Sequence, residues 1–142
     1  MWRCFCVGMG KINCMPAGIP HILVVDDNEA ILESVAMVLR WNALRVSTAA
    51  SGETYHAVLQ SDLPALILLD KSLGWDDGCN LCLQIKSDIT TGFIKIIMFS
   101  AAKQVKEHCL SAGADAFLEK PFDIDHLLQL VRQHTTSVLL PT

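Results

Sequence analysis

Two short runs of unbroken apolar residues, ILVV (Ile22–Val25) and ALILL (Ala65–Leu69), each stop abruptly at an aspartate. A strand with apolar residues on both sides of its pleat has no face for water. Such runs belong in the middle of a sheet that is covered on both faces. Between and after them lie segments with helical spacing. Ile31, Leu32, Val35, Val38 and Leu39 form one apolar stripe in a helix over residues 28–41, with Asn28 as its expected N-cap. LRVST (Leu44–Thr48) alternates apolar and polar residues, which suits a half-exposed edge strand. Ser51-Gly52 opens a second helix, and a third is expected over residues 78–87. IKIIMF (Ile94–Phe99) is a strand ending at Ser100, and a fourth helix is expected over residues 102–112, closed by Gly113. AFLE (Ala116–Glu119) is a short strand ending at Lys120-Pro121. The last helix carries Ile124, Leu127, Leu128 and Val131 on one face, with Asp123 as its cap. The order βαβαβαβαβα implies a parallel sheet with helices on both faces.

A chain of 142 residues has one domain as its natural size, and 51% hydrophobic residues argues against disorder. Residues 20–138 hold the whole alternating pattern. Residues 1–19 show no clear period and are expected to lie outside the fold, with Met15-Pro16 as a plausible alternative beginning. Residues 139–142 are expected to be a tail. The net charge of −4 and the lack of a basic run give no support to nucleic-acid binding by this chain itself. No apolar run approaches the roughly 18 residues that span a membrane. The N-terminus lacks the apolar core of a secretory signal. The six cysteines suggest no disulfide framework, so free thiols in the cytoplasm are expected.

The polar residues at the strand ends carry the chemistry. The first strand ends in Asp26-Asp27, the third in Asp70, the fourth in Ser100 and the fifth in Lys120. Sites in open parallel sheets form beyond the carboxyl ends of the strands, where the strand order reverses. An order of 2-1-3-4-5 leaves the second strand at the edge and gathers the other four ends. Carboxylates at ~4 Å and an effective dielectric of ~20 repel by about 4 kcal/mol per pair. Three in one volume should therefore bind a cation or hold a proton. Oxygen ligands favour a hard divalent ion, and Mg²⁺ fits best, with Mn²⁺ an acceptable substitute. With a hydroxyl and a lysine added, the set describes a phosphoryl-transfer site in which Asp70 can act as nucleophile.

At these residues the chain resembles the response-regulator receiver domains of two-component signalling. ILVVDDN resembles that family's first strand and acidic pair. ILLDKSLGWDDG resembles its phosphoacceptor segment, whose common form is D-x-x-M-P-x-x-D-G. IIMFSAA resembles its Ser/Thr strand, and GADAFLEKPF its closing Lys-Pro segment. The resemblance implies a flavodoxin-like (βα)5 doubly wound fold with the sheet order 2-1-3-4-5. It implies that Asp70 accepts phosphate from the phosphohistidine of a sensor histidine kinase or phosphotransfer protein. Asp27 and Asp70 would then hold Mg²⁺ directly, Asp26 through water, and the Ser72 main-chain carbonyl would be a further ligand. Ser100 and Lys120 would hold phosphoryl oxygens, and Phe117 would be the aromatic switch residue. Lys120–Pro121 is expected to be cis. The face formed by the fourth and fifth helices and the fifth strand would change its affinity for an output partner, or mediate a homodimer. Such a domain is not a turnover enzyme; it catalyses only its own phosphoryl transfer and dephosphorylation.

The chain departs from the common pattern at Leu73-Gly74, which replaces Met-Pro and suggests a looser loop. Lys71 places a positive charge beside the acceptor. Ser72 and Ala102 are small, leaving room for attacking water, and Phe117 lacks a hydroxyl. The alternative reading keeps the fold but treats it as a vestigial receiver that docks partners without phosphorylation. A phosphatase-type hydrolase is disfavoured, since Ser72 stands where such enzymes carry a second aspartate. Cys79 and Cys82 form a C-x-x-C without the surroundings of a redox motif. Asp26 and Asp27 as simple helix caps, Ser100 as an ordinary strand-end serine and Lys120 as a surface lysine are the plain alternatives.

Overall fold

The computed structural model describes the backbone of residues 2–7, 11–16 and 19–139, and the side chains of residues 19–135. Among the described residues, seven strands and five α-helices follow in the order β1 (Trp2–Val7), β2 (Lys11–Pro16), β3 (His21–Val25), α1 (Glu29–Trp41), β4 (Arg45–Ala49), α2 (Gly52–Ser61), β5 (Leu66–Asp70), α3 (Gly78–Ser87), β6 (Lys95–Ser100), α4 (Lys106–Ser111), β7 (Ala116–Glu119) and α5 (Ile124–Leu139). Strands β3 to β7 form one parallel sheet in the order β4-β3-β5-β6-β7, which is 2-1-3-4-5 counted along these five. This is the flavodoxin-like arrangement expected from the sequence.

The apolar runs sit in the middle of the sheet because they are buried on both sides. Ile22, Leu23, Val24, Val25, Leu66, Ile67, Leu68 and Leu69 are all essentially inaccessible. Their alternation feeds two separate cores. Leu23, Val25, Ile67, Leu69, Ile96 and Met98 pack with Tyr55 of α2, Leu81, Cys82 and Ile85 of α3, and Cys109 of α4. Ile22, Val24, Leu66, Leu68, Ile97 and Phe99 pack with Leu32, Val35 and Leu39 of α1 and Leu127, Leu128 and Val131 of α5. Strand β4 is the half-exposed edge strand, only Ala49 being buried.

The helix boundaries follow their caps. Asn28 accepts from the N–H groups of Ala30 and Ile31, and Ser51 accepts from Thr54. Asp77 accepts from Cys79 at the start of α3, and Asp123 from Asp125 at the start of α5. Gly113 adopts φ 106° just after α4, the left-handed conformation that glycine tolerates best.

Two expectations differ from the structure. The fourth helix is not continuous over 102–112: a 3₁₀ turn spans Lys103–Val105 before α4 begins. Ala102 offers no capping side chain, and the Val105 N–H reaches back to its carbonyl at 3.4 Å, so the first turn closes with i→i+3 bonding. The N-terminal segment, read as lacking a period, contains two antiparallel strands that pair Cys4 with Cys14 and form a sheet of their own. The tail expected at 139–142 falls outside the described residues except for Leu139. Among the described residues no helix is long and apolar enough to cross a membrane.

Candidate phosphoacceptor site

Strand register places the candidate groups. Val25 pairs with Leu69, so the residues that follow, Asp26 and Asp70, leave the sheet side by side. Asp70 pairs with Phe99, and Ser100 with Glu119, which puts Ser100 and Lys120 one residue further on neighbouring strands. Asp26, Asp27 and Asp70 each bring a carboxylate oxygen within 4.8 Å of the others. Asp26 and Asp70 are buried, whereas Asp27 is exposed, so the cluster opens to solvent on the Asp27 side.

Lys120 reaches into this cluster. Its Nζ lies 3.0 Å from Asp26 Oδ2 and 3.2 Å from Asp70 Oδ1. The same ammonium stands 4.6 Å from the centre of the Phe99 ring. Phe99 was not among the residues singled out from the sequence. It sits one residue before Ser100 and reads there as an ordinary core position. Lys120 is therefore not a solvated surface lysine. The Lys120–Pro121 bond is cis, as expected.

Asp26 and Asp27 do not cap α1; Asn28 does. The free oxygen of Asp26 accepts the Asn28 N–H at 2.9 Å, which fixes the carboxylate with one oxygen toward the helix and the other toward Lys120. Burial raises the Asp70 carboxyl above its usual range, and the Asp26 charge adds to the rise, opposed by Lys120. One cation among three carboxylates leaves an excess of negative charge. An all-oxygen donor set, part buried and part open to water, suits a hard divalent ion that keeps some of its waters.

Ser100 is buried, and its Oγ accepts the Ala102 N–H at 3.1 Å. Phe117 is half-buried and packs against the core that includes Cys109 of α4. The Lys71 charge is turned to Asp77: its Nζ pairs with Asp77 Oδ2 at 2.8 Å, a bond that raises the lysine's pKa.

The loop after Asp70 is pinned at several points. Ser72 and Asp77 form an antiparallel bridge, and the Gly78 N–H donates to the Lys71 carbonyl at 2.7 Å. A Cβ on Gly78 would run into the Asp70 carbonyl oxygen, with Lys71 Cα only 2.9 Å away. That close backbone approach is the reason for glycine after Asp77. Leu73, at the position of the family's methionine, is buried in the core. Trp75 packs on Tyr55 of α2, with ring centroids 5.7 Å apart. Its indole N–H is buried without a hydrogen-bonding partner among the described residues, so apolar packing rather than a polar contact holds the ring.

Cys79 Sγ meets Cys109 Sγ at 3.5 Å instead of Cys82, and burial pushes the Cys82 and Cys109 thiols up to about 11 and about 12.

Residues 22–132 match the response regulator receiver domain family. The chain is 34% identical over 115 residues to the DNA-binding dual master transcriptional regulator RpaA of Synechocystis sp., covering 80% of this chain and 48% of that protein. It thus spans about half the length of such curated relatives. A CheY-like receiver domain protein from Methanospirillum hungatei superposes with a TM-score of 0.76 at 28% identity, covering 84% of this chain and 96% of that one. The receiver domain of the sensor histidine kinase PA1611 from Pseudomonas aeruginosa superposes with a TM-score of 0.74 at 26% identity, covering 84% and 99%. That structure has a magnesium ion coordinated in its active-site cleft.

Proposed function

The chain belongs to the response regulator receiver domain family, and on that premise we propose that Asp70 is its phosphoacceptor, charged by a sensor histidine kinase or phosphotransfer protein. The observation that carries this reading is the position of Lys120 between Asp26 and Asp70, 3.0 and 3.2 Å from their oxygens. A carboxylate oxygen of Asp70 attacks phosphorus, the P–N bond to the donor imidazole breaks, and the imidazole leaves with its electron pair. Asp70 suits this role because burial leaves its carboxylate poorly solvated, so its oxygen sheds little water on attack. Mg²⁺, held by Asp27, Asp70 and the Ser72 carbonyl with Asp26 acting through water, would neutralise charge on the transferring group. Lys120 moves from Asp70 Oδ1 to a phosphoryl oxygen while keeping Asp26 as its second anchor. Ser100 donates its hydroxyl to another phosphoryl oxygen.

The output follows from those two moves. Ser100 lies at the end of β6, next to the turn that precedes α4, so drawing its hydroxyl inward pulls on the Ala102 N–H it now accepts. Phe117, packed beside α4, then repacks without help from a hydroxyl group. The face formed by α4, β7 and α5 changes its affinity for an output domain, an output protein or a second copy. On this reading the chain works in the cytoplasm beside its kinase. It works as a switch whose only chemistry is its own phosphorylation and dephosphorylation.

The test is incorporation of label from a small phosphoryl donor with Mg²⁺. Wild type takes up acid-stable, base-labile label that EDTA abolishes, and Asp70→Asn takes up none. Uptake by Asp70→Asn at the wild-type rate would remove Asp70 from the role. No uptake by wild type, with Mg²⁺ also failing to bind, would favour a docking module that works without phosphorylation.

A further inference from the structure

The loop between Asp70 and α3 lacks the Met-Pro of its family, yet it is held from an unexpected direction. Its indole anchor reaches sideways onto the first turn of α2. A Cβ on Gly52 would fall 2.9 Å from Trp75 Cε3, so only the absence of a side chain at 52 lets the ring lie there. Tyr55, one turn on and buried, closes the other side of the seat. One residue before Trp75, the backbone of Gly74 comes under the Asp27 carboxylate, where a Cβ would stand 3.2 Å from Asp27 Oδ2. On the other side of buried Leu73 lies Ser72, held by its bridge to Asp77. Gly74 gives the apex wide backbone freedom, which must be removed before Ser72 and Asp27 can face one ion. A large rigid ring seated on α2 removes it at little cost in side-chain entropy.

We propose that Trp75 is a positioning residue for the cation site. Seated on Gly52 and Tyr55, it fixes the loop so that the Ser72 carbonyl and the Asp27 carboxylate converge. This rests on the reading that the carboxylate cluster binds Mg²⁺.

The experiment uses the full chain and Mg²⁺ alone. Calorimetric titration gives the affinity, and hydrogen exchange of the 72–76 amides in EDTA reports the loop without metal. Trp75→Ala should weaken Mg²⁺ binding about tenfold, the scale seen when groups behind metal ligands are removed. It should also speed exchange in the metal-free loop. Trp75→Phe, which still lays a flat ring on Gly52, should stay near wild type in both. Gly52→Ala should reproduce the Trp75→Ala loss by unseating the indole, and should add nothing in the Trp75→Ala background. Melting in EDTA confirms folding, and if Trp75→Ala does not fold, Gly52→Ala and Trp75→Phe carry the comparison. Failure of wild type to bind Mg²⁺ would overturn the metal reading itself. Wild-type binding with unchanged affinity and unchanged loop exchange in Trp75→Ala would overturn the positioning role alone. Additive losses from the two substitutions would overturn the contact through Gly52.

Discussion

Lys120 Nζ lies 3.2 Å from Asp70 Oδ1, although 50 residues separate them in the chain. The contact needs β5, β6 and β7 in parallel register and the turn after β7 to bring Lys120 back over the sheet end. It also makes the cluster self-supporting, because the same ammonium holds Asp26, one of the most deeply buried charges in the domain.

Lys120→Met removes the one cation from between two buried carboxylates. Breaking a pair of this kind leaves an uncompensated charge, so the variant should lose about 3 kcal/mol of stability at pH 7 in EDTA. Urea unfolding measures it. Retention of wild-type stability would mean that the carboxylates are relieved in some other way. Mg²⁺ should recover part of the loss.

Asp70→Asn should stabilise the metal-free protein at pH 7. Burial and the Asp26 charge raise the Asp70 carboxyl above its usual range, so the fold disfavours its ionised form. The gain should be about 1–2 kcal/mol, part of the ~4 kcal/mol that two charges at ~4 Å exert at an effective dielectric of ~20. It is full above the folded-state pKa. It shrinks as the pH falls through that value and vanishes below the unfolded-state pKa near ~3.9. Thermal melts of both proteins in EDTA at several pH values check the size and the sign. A lower melting temperature for the asparagine variant at pH 7 would contradict the argument.

His21 should make the protein lose stability on mild acidification. It is buried at the start of β3, with Nε2 2.7 Å from Ser47 Oγ. Its Nδ1 is 3.5 Å from Asp62 Oδ2 but without a hydrogen-bonding partner among the described residues, and Arg45 shares the same carboxylate at 3.0 Å. Burial lowers the imidazole pKa more than Asp62 raises it. Above the unfolded pKa of ~6.5 both states are neutral and stability is flat. Below it the unfolded chain takes up a proton that the fold resists, so stability falls by up to ~1.4 kcal/mol at a pH one unit lower. Denaturant titrations from pH 7.5 to 5.5 should show this slope in wild type. Its disappearance in His21→Gln identifies the residue, and an unchanged slope would assign it elsewhere.

Gly78→Ala should destabilise by about 3 kcal/mol or more, beyond the usual cost of overfilling a core, because the added methyl meets backbone rather than a flexible side chain. The closest obstructing atom is the Asp70 carbonyl oxygen, followed by Lys71 Cα and, at the same 2.9 Å, the yielding end of the Met98 side chain. Chemical denaturation gives the figure, and a change below ~1 kcal/mol would show that the α3 N-terminus can shift away at little expense.

The chain order carried most of the fold in plain view. Unbroken apolar runs such as those of β3 and β5 suit strands buried on both faces, and the apolar stripes of α1 and α5 suit helices that cover them. Asp26, Asp27, Asp70, Ser100 and Lys120 were legible for the same reason: each interrupts an apolar pattern at the strand end where a parallel sheet opens its site. These are local signals of hydrophobic periodicity and its interruption, and they need no knowledge of what lies across the fold. Only the tertiary structure decided which groups touch. Phe99 under Lys120, Gly52 under Trp75, Gly74 against Asp27 and Cys79 against Cys109 join segments distant in sequence. No periodicity records such contacts, because they depend on how far one side chain reaches and on whether the residue opposite leaves it room. The 3₁₀ turn before α4 belongs with them: helical spacing alone favoured a continuous helix, and the chain instead closes a bond from the Val105 N–H to the Ala102 carbonyl there.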